Sequence, residues 1–351
     1  MATINLRNGR MIGDYANPYI VAELNTSHFG DVELAKSMIS TAKSVGCDCV
    51  KFQSWSTDSL YASSYYKGNA IAKRIVSRFA MDESKLLSLA SYCNEIEIDF
   101  ASTPYSRDEA IFLKESCGVP FLKIASMELN NLPYLAYLGK LEVPLVLSTG
   151  MGTMEEIIRA VHAIEDSGNQ QIVILHCVSS YPVPAERTRL HNIIGLRTEF
   201  PQYPIGYSDH TLGCEIPVAA VALGASLIEK HFTLNKSRIG MDNQMATEPA
   251  EMKNLVDSCR KVQMAMGGAC RLLDDSERAQ IPKMRRSLVT NKPLRAGHIL
   301  LESDLEAKRP GTGIPPTEIL SVIGKQLIID LDSDELILPE HFSIAQTGLA
   351  E

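Results

Sequence analysis

The sequence predicts a (β/α)8 barrel followed by a small β-rich module, on three observations. A short apolar segment that ends in a polar residue, usually followed by an amphipathic helix, recurs through residues 1–267 and yields eight strands. Eight such units over about 250 residues match the size of a (β/α)8 barrel. Beyond residue 267 the pattern changes to short segments between turn residues. No GxGxxG follows the first strand, which counts against the alternative of a doubly wound open sheet.

In chain order, a short N-terminal piece reads as a hairpin closing the barrel floor. The units then run Tyr19 to Glu23 with a helix from Val32 to Val45, Cys49 to Gln53, Asp99 to Ser102 with Arg107 to Glu115, and Phe121 to Ala125 with Leu132 to Leu138. They continue through Leu145 to Ser148 with Met154 to Asp166, Ile172 to His176, Pro204 to Tyr207 with Gly213 to Leu223, and Leu227 to His231 with Pro249 to Met266. Strand, helix, strand is the order that makes right-handed parallel crossovers. One connection is too long for this scheme. About thirty residues between Gln53 and a helix near Ser84 hold the only Trp and the cluster Tyr61, Tyr65 and Tyr66, and a segment of that length is expected to order in part over the active face. Residues 268–286, with Gly-Gly, a run of charges and Lys-Met-Arg-Arg, read as a linker. In 287–351, Ser287 to Thr290, Ile299 and Leu300, Leu305 to Lys308, and Ile337 and Leu338 lie between Asn, Pro and Gly turn signals. A module of about 65 residues makes only a modest core and is expected to dock on a barrel.

Hydrophobic residues at 45% and charged residues at 22% are those of an ordinary globular protein. A formal net charge of -8 argues against a nucleic-acid partner. The eight cysteines include no CxxC pair, and Cys47, Cys93, Cys177 and Cys214 sit in apolar context, so they read as reduced core residues. No stretch resembles a signal peptide or approaches the roughly 18 to 20 apolar residues that span a bilayer. The expectation is a cytoplasmic protein with no membrane partner.

In parallel crossovers ligand groups gather where the strands end. Glu23, Lys51, Gln53, Ser102, Thr103, Lys123, Ser126, Glu128, Ser148, Thr149, His176, Ser179, Tyr181, His210 and His231 are therefore expected to share one face. His210 and His231 each end an apolar run, with a helical segment between them, so the imidazoles can converge at neighbouring strand ends. An imidazole pair with open positions suits a divalent Mn, Fe or Zn, while for either His alone the competing reading is a strand-capping hydrogen bond. Asp209, Glu229 and Asp242 are expected as carboxylates supporting those ligands. Lys51 and Lys123 directly follow apolar runs, where a charge is costly without a compensating ligand or partner. With several hydroxyls they form a nest for a phosphate.

The segments AELNTSHFGD, VKFQ, ASTPYSRDEA, LKIAS, LSTGM, LHCVSSYP, GYSDHT, GASLIEKHFT and GMDNQMATEP resemble the sialic acid (nonulosonate) synthase family, and RPGTGIPP with the following IGK resembles that family's antifreeze-like (SAF) module. The resemblance runs through essentially the whole chain, in order. It implies condensation of phosphoenolpyruvate with an N-acylated sugar aldehyde, and a homodimer in which the C-terminal module caps the other subunit's active site. It implies His210 and His231 as metal ligands, usually for manganese, with Mg, Co or Fe as alternatives. Lys51, Lys123, Ser126, Ser148, Ser179 and Tyr181 would surround the phosphate of phosphoenolpyruvate and Thr103 its carboxylate. Gln53 and Asp242 would face the sugar, Arg309 would be donated across the dimer to the acyl group, and Glu23, His28 and Glu128 would serve catalysis.

Three departures leave the phosphoenolpyruvate half intact and bear on the sugar half. After the first strand the family pattern of Gly, Asn, His, Asn, Gly keeps His28 and Gly30 but has Asn25, Ser27 and Phe29; Ser179 stands for an asparagine; and Asn243, Gln244 and Met245 replace a His and Lys after Asp242. The expected acceptors are N-acetylmannosamine or a 2,4-diacetamido-6-deoxyhexose, with the departures pointing away from N-acetylneuraminate as product. The alternatives are a related synthase that takes a phosphorylated aldose, which needs a second basic cluster, and an inactive barrel acting as a scaffold.

Overall fold

The computed structural model describes residues 1–343; the end of the expected 287–351 module, residues 344–351, lies outside that range. The strands are β1 (Thr3–Asn5), β2 (Met11–Gly13), β3 (Tyr19–Glu23), β4 (Cys49–Ser54), β5 (Asp99–Pro104), β6 (Leu122–Ile124), β7 (Leu145–Ser148), β8 (Ile172–Cys177), β9 (Ile205–Asp209) and β10 (Leu227–His231). β3 to β10 close into an all-parallel barrel, β10 pairing with both β9 and β3. β1 and β2 form the expected hairpin. Its Ile4, Leu6 and Ile12 join Tyr19, Val21, Cys49, Ala101, Phe121, Val146, Val173, Leu175 and Leu227 in one buried cluster that plugs the barrel floor.

Period-2 alternation splits each barrel strand between two cores. The other parity, including Ile20, Ala22, Val50, Phe52, Leu122, Ile124, Leu147, Ile174 and Ile228, packs into the larger cluster beneath the helices. The helix Val32–Ser44 shows why those helices form where they do. Its Ala35, Met38, Ile39 and Ala42, at i, i+3, i+4 and i+7, are buried, and the Asp31 side chain accepts hydrogen bonds from the Glu33 and Leu34 N–H groups. A capping box between Thr153 and Glu156 starts the helix Met154–Glu165 in the same way.

The long connection after β4 folds into three short helices, Thr57–Leu60, Ser63–Gly68 and Ala70–Phe79. Trp55, Tyr66, Val76 and Phe79 give it a small core of its own. The helix Pro249–Met266 stops at Gly267, whose φ of 58° suits glycine, and the chain divides into two compact units between Gly267 and Gly268. Residues 268–286, expected as a linker, contain a helix, Asp275–Met284. Asp274 caps it by accepting from the Glu277 N–H, acidic residues fill its first turn, and Pro282 falls near its end; no residue of it is buried, so local capping rather than packing makes it helical.

In the second unit, β11 (Ser287–Thr290) pairs antiparallel with β12 (Leu305–Lys308). Single bridges, Leu294 to Leu331, Ile299 to Gln326 and Leu327 to Phe342, replace the further strands expected around 299–300 and 337–338. Leu288, Leu294, Leu300, Leu327, Leu331 and Ile337 fill its core. No helix among the described residues is long and apolar enough to cross a membrane.

Candidate active site

At the C-terminal ends of the barrel strands a cavity of about 460 Å³ opens above the apolar plug. Its floor is ionic. Lys51 on β4 is ion-paired with Glu23 on β3 and donates to Thr103 Oγ1 at 3.3 Å. Lys123 on β6 donates to Ser148 Oγ at 2.7 Å. Between the lysines lies Glu229 of β10, 3.9 Å from each ammonium, its Oε1 accepting from Ser208 Oγ at 3.1 Å. All of these charges are buried.

Burial raises the Glu23 carboxyl; Lys51 opposes and Glu229 and Asp242 add to the rise, leaving it at about 7. Burial also works against the Lys51 ammonium, but Glu229 and Glu23 overcome it and its pKa is raised. Lys123, with less carboxylate support, is lowered by burial. Glu23 Oε1 accepts from the Asn25 N–H at 3.0 Å and from Gln53 Nε2 at 3.3 Å, and Gln53 Oε1 accepts from the Tyr105 hydroxyl at 2.8 Å. A carboxyl balanced near neutrality beside a cation can exchange a proton with a reacting group.

Hydroxyls crowd the next wall. Ser126 Oγ accepts from the Gly150 N–H at 2.9 Å. A Cβ at Gly150 would stand 2.3 Å from Ser179 Oγ and 2.9 Å from Ser126 Oγ, so only glycine lets both serines approach this turn. Opposite stand His210 and His231, with ring centroids 5.4 Å apart and the Tyr181 ring 4.2 Å from that of His210.

The histidine pair fits a divalent cation by its second contacts. His210 Nδ1 lies 2.8 Å from the Val178 carbonyl and His231 Nδ1 3.2 Å from Asp242 Oδ2, which orients each ring and leaves both Nε2 atoms without a partner among the described residues. Asp242 is itself held by Asn25 Nδ2 and by Thr26 Oγ1. No group of three or more His, Cys, Asp or Glu side chains suited to a cation occurs among the described residues, so this pair offers two protein ligands and leaves the other positions open.

A model of the NeuB family matches residues 38–271, and a SAF domain model matches residues 285–343. The chain belongs to the NeuB family. It is 37% identical over 336 residues to N,N'-diacetyllegionaminic acid synthase of Legionella pneumophila, which covers 92% of this chain and 94% of that one. To N-acetylneuraminate-9-phosphate synthase of Homo sapiens it is 34% identical over 349 residues, 96% of either chain. Among solved structures, N-acetylneuraminic acid (sialic acid) synthetase from Leptospira borgpetersenii, in complex with citrate, superposes with a TM-score of 0.73 at 32% identity over 80% of this chain and 95% of that one. The chain is an enzyme of the sialic acid synthase type.

In this NeuB-family barrel the cavity is lined by Glu23, Lys51, Gln53, Thr103, Lys123, Ser126, Ser148, Ser179, Tyr181, His210, His231 and Asp242, all expected from the sequence. Two others stand elsewhere. His28, expected in catalysis, is buried outside the lining with its ring 5.7 Å from that of Phe52 and its Nδ1 accepting from the Gly30 N–H at 3.0 Å; burial lowers its pKa to about 4, so it serves the turn after β3 as a neutral ring. Glu128 lies in the 3₁₀ turn Ser126–Asn130, accepts from Asn131 Nδ2 at 2.7 Å and does not line the cavity. Arg309 is exposed in the second unit, directly after β12.

Strand parity removes three more residues from the shared face and turns Asp209 away with them. Ser102 turns outward to Ser54 at 2.6 Å, Thr149 bonds the Leu175 carbonyl at 2.8 Å, and His176 bonds the Thr188 carbonyl at 2.6 Å. Asp209, expected behind the histidines with Glu229 and Asp242, faces the helix layer and pairs with Lys230. Glu229 departs differently: it lies between the lysines of the floor, a place legible from its position two residues before His231 on one strand. Tyr105, Trp55, Leu60, Tyr61, Met151 and Met241 also line the cavity; the last five come from connections whose direction local sequence does not reveal.

Proposed function

We propose that this chain condenses phosphoenolpyruvate with an N-acylated, unphosphorylated sugar aldehyde, forming a nine-carbon 2-keto sugar acid and releasing phosphate. The observation that carries this reading is the division of one cavity into an ionic, hydroxyl-rich floor and an apolar outer wall. Lys51 and Lys123, with Ser126, Ser148 and Ser179, bind and orient the phosphate, and Thr103 the carboxylate. C3 of phosphoenolpyruvate then bonds to the aldehyde carbon, water adds at C2, and phosphate leaves as the ketone forms. Glu23, with a pKa of about 7, takes the proton from that water; Gln53 and Lys51 keep it in place. A divalent ion held by His210 and His231, manganese by the family resemblance, supplies Lewis-acid polarisation of the acceptor carbonyl when bound. Arg309 is proposed to complete the acyl site of the second subunit in a homodimer.

Two features support an acceptor without phosphate. Lys51 and Lys123 are the only Lys or Arg residues among the lining residues, and both are engaged by carboxylates in the floor. The outer wall instead offers Trp55, Leu60, Tyr61, Met151 and Met241, suited to a methyl or acyl substituent and not to a dianion.

Phosphate release from phosphoenolpyruvate with Mn(II) tests both parts, across N-acetylmannosamine, its 6-phosphate, mannose and the two diacetamido-deoxy sugars leading to legionaminic and pseudaminic acids. Release is expected with an acylated, unphosphorylated sugar, the deoxy sugars ahead of N-acetylmannosamine. Preference for the 6-phosphate would overturn the acceptor assignment, and full turnover of folded His210→Ala in metal-free buffer would overturn the metal.

A further inference from the structure

The side chains of β9 and β10 that face away from the cavity hold a second ionic network, one residue before each histidine. Asp209 and Lys230 are opposite each other in the parallel register. Lys230 Nζ donates to Asp209 Oδ2 at 2.5 Å and to the Thr211 carbonyl at 2.6 Å. Asp209 Oδ1 accepts from the Tyr207 hydroxyl and the Thr211 N–H, each at 2.9 Å, and Oδ2 also accepts from Thr211 Oγ1 at 3.1 Å. The carboxylate thus has four donors, and both ends of the Thr211 backbone are gripped. His210 sits between the two gripped residues, and the cation that grips them immediately precedes His231.

We propose that Asp209 and Lys230 are positioning residues that set the spacing of His210 and His231 for a divalent cation. This rests on the histidine pair being the metal site. Stability alone is a weak reason for the network, since a fully buried ion pair is often no more stabilising than apolar side chains of the same volume. An apolar pair, however, has no directional bond with which to hold the Thr211 peptide or to tie the end of β9 to that of β10. On the cavity side Ser208 to Glu229 joins these strands two residues short of the histidines. Metal ligands tolerate errors of about 0.5 Å, so a small slip between the strand ends weakens binding while the barrel stays closed.

The test is Mn(II) binding alone, followed by the electron paramagnetic resonance signal of the free ion, with thermal unfolding of each variant. The paired variant Asp209→Leu with Lys230→Met is expected to bind Mn(II) at least tenfold more weakly, with a melting temperature close to that of the original chain. Tyr207→Phe, which removes one donor from Asp209, is expected to weaken binding two- to fivefold. As a control, the ion pair of Asp14 and Arg197, 3.2 Å apart, is replaced by Leu and Met and is expected to leave Mn(II) affinity unchanged whatever it does to stability. Unchanged affinity in the folded paired variant overturns the proposal, as does unchanged affinity in Tyr207→Phe should the paired variant fail to fold. Equal weakening by the control overturns it too, because the effect would then be general loosening. His210→Ala separates the two readings: if it binds Mn(II) like the original chain, the metal site itself is wrong and the proposal falls with it, whereas loss of binding there beside intact binding in the paired variant sinks only the positioning role.

Discussion

Two buried lysine–carboxylate networks lie on opposite faces of the same barrel wall, and they differ in completeness. On the helix side, Asp209 has four donors and Lys230 two oxygen partners within 2.6 Å. On the cavity side, Glu229 lies 3.9 Å from two lysines, Glu23 Oε2 has no hydrogen-bond partner apart from its ion pair with Lys51, and the Glu23 carboxyl is pushed up to about 7. A saturated network holds structure; an unsaturated one beside a cavity is built to be completed by a ligand.

The contrast breaks most sharply at Glu23. With its carboxyl raised, the basic form accumulates as pH rises, so kcat/KM should climb through about pH 7. Glu23→Gln should remove that limb and lower the plateau by about 10²–10⁴-fold. Lys51→Met should lower kcat/KM about 10²–10³-fold while barely moving the urea midpoint at pH 7, because Glu23 takes up a proton when its partner is lost. Lys230→Met should do the opposite to stability. It leaves the buried Asp209 side chain without its cation and should cost about 3–5 kcal/mol in urea unfolding; a loss no larger than that of Lys51→Met would erase the distinction between the two faces.

The smallest effect belongs to a third network, in the C-terminal unit. Burial would raise Asp304, but Lys292 at 2.7 Å, His298 at 2.7 Å and the Leu301 N–H hold it down at about 2. A depressed carboxyl stabilises above its unfolded value of 3.8, and that stability is lost as pH falls toward 2. Asp304→Asn should therefore cost on the order of 1–2 kcal/mol at pH 7, with the gap from the original chain closing between about pH 4 and pH 2 in pH-dependent denaturation.

What could be read from the sequence alone was whatever has a local period. Apolar runs at strand length and helices with i, i+3, i+4 spacing announced the barrel, and a lysine or histidine at the end of an apolar run announced Lys51, Lys123, His210 and His231. The phase of each strand could not be read. Parallel barrel strands are buried on both faces and lack the polar alternation that marks one side, so Ser102 is expected on the cavity face along with Thr103, His176 is expected there while Cys177 reads as core, and Asp209 is expected to support His210. Barrel closure decided between them, turning the first of each pair outward. The same holds for residues beyond strand ends. His28 and Glu128 belong to turns whose direction depends on what they pack against, and Trp55 and Tyr61 reach the cavity only because the connection after β4 folds back on its own aromatic core. Chemical identity and spacing are properties of the chain; the face on which each group acts belongs to the closed sheet.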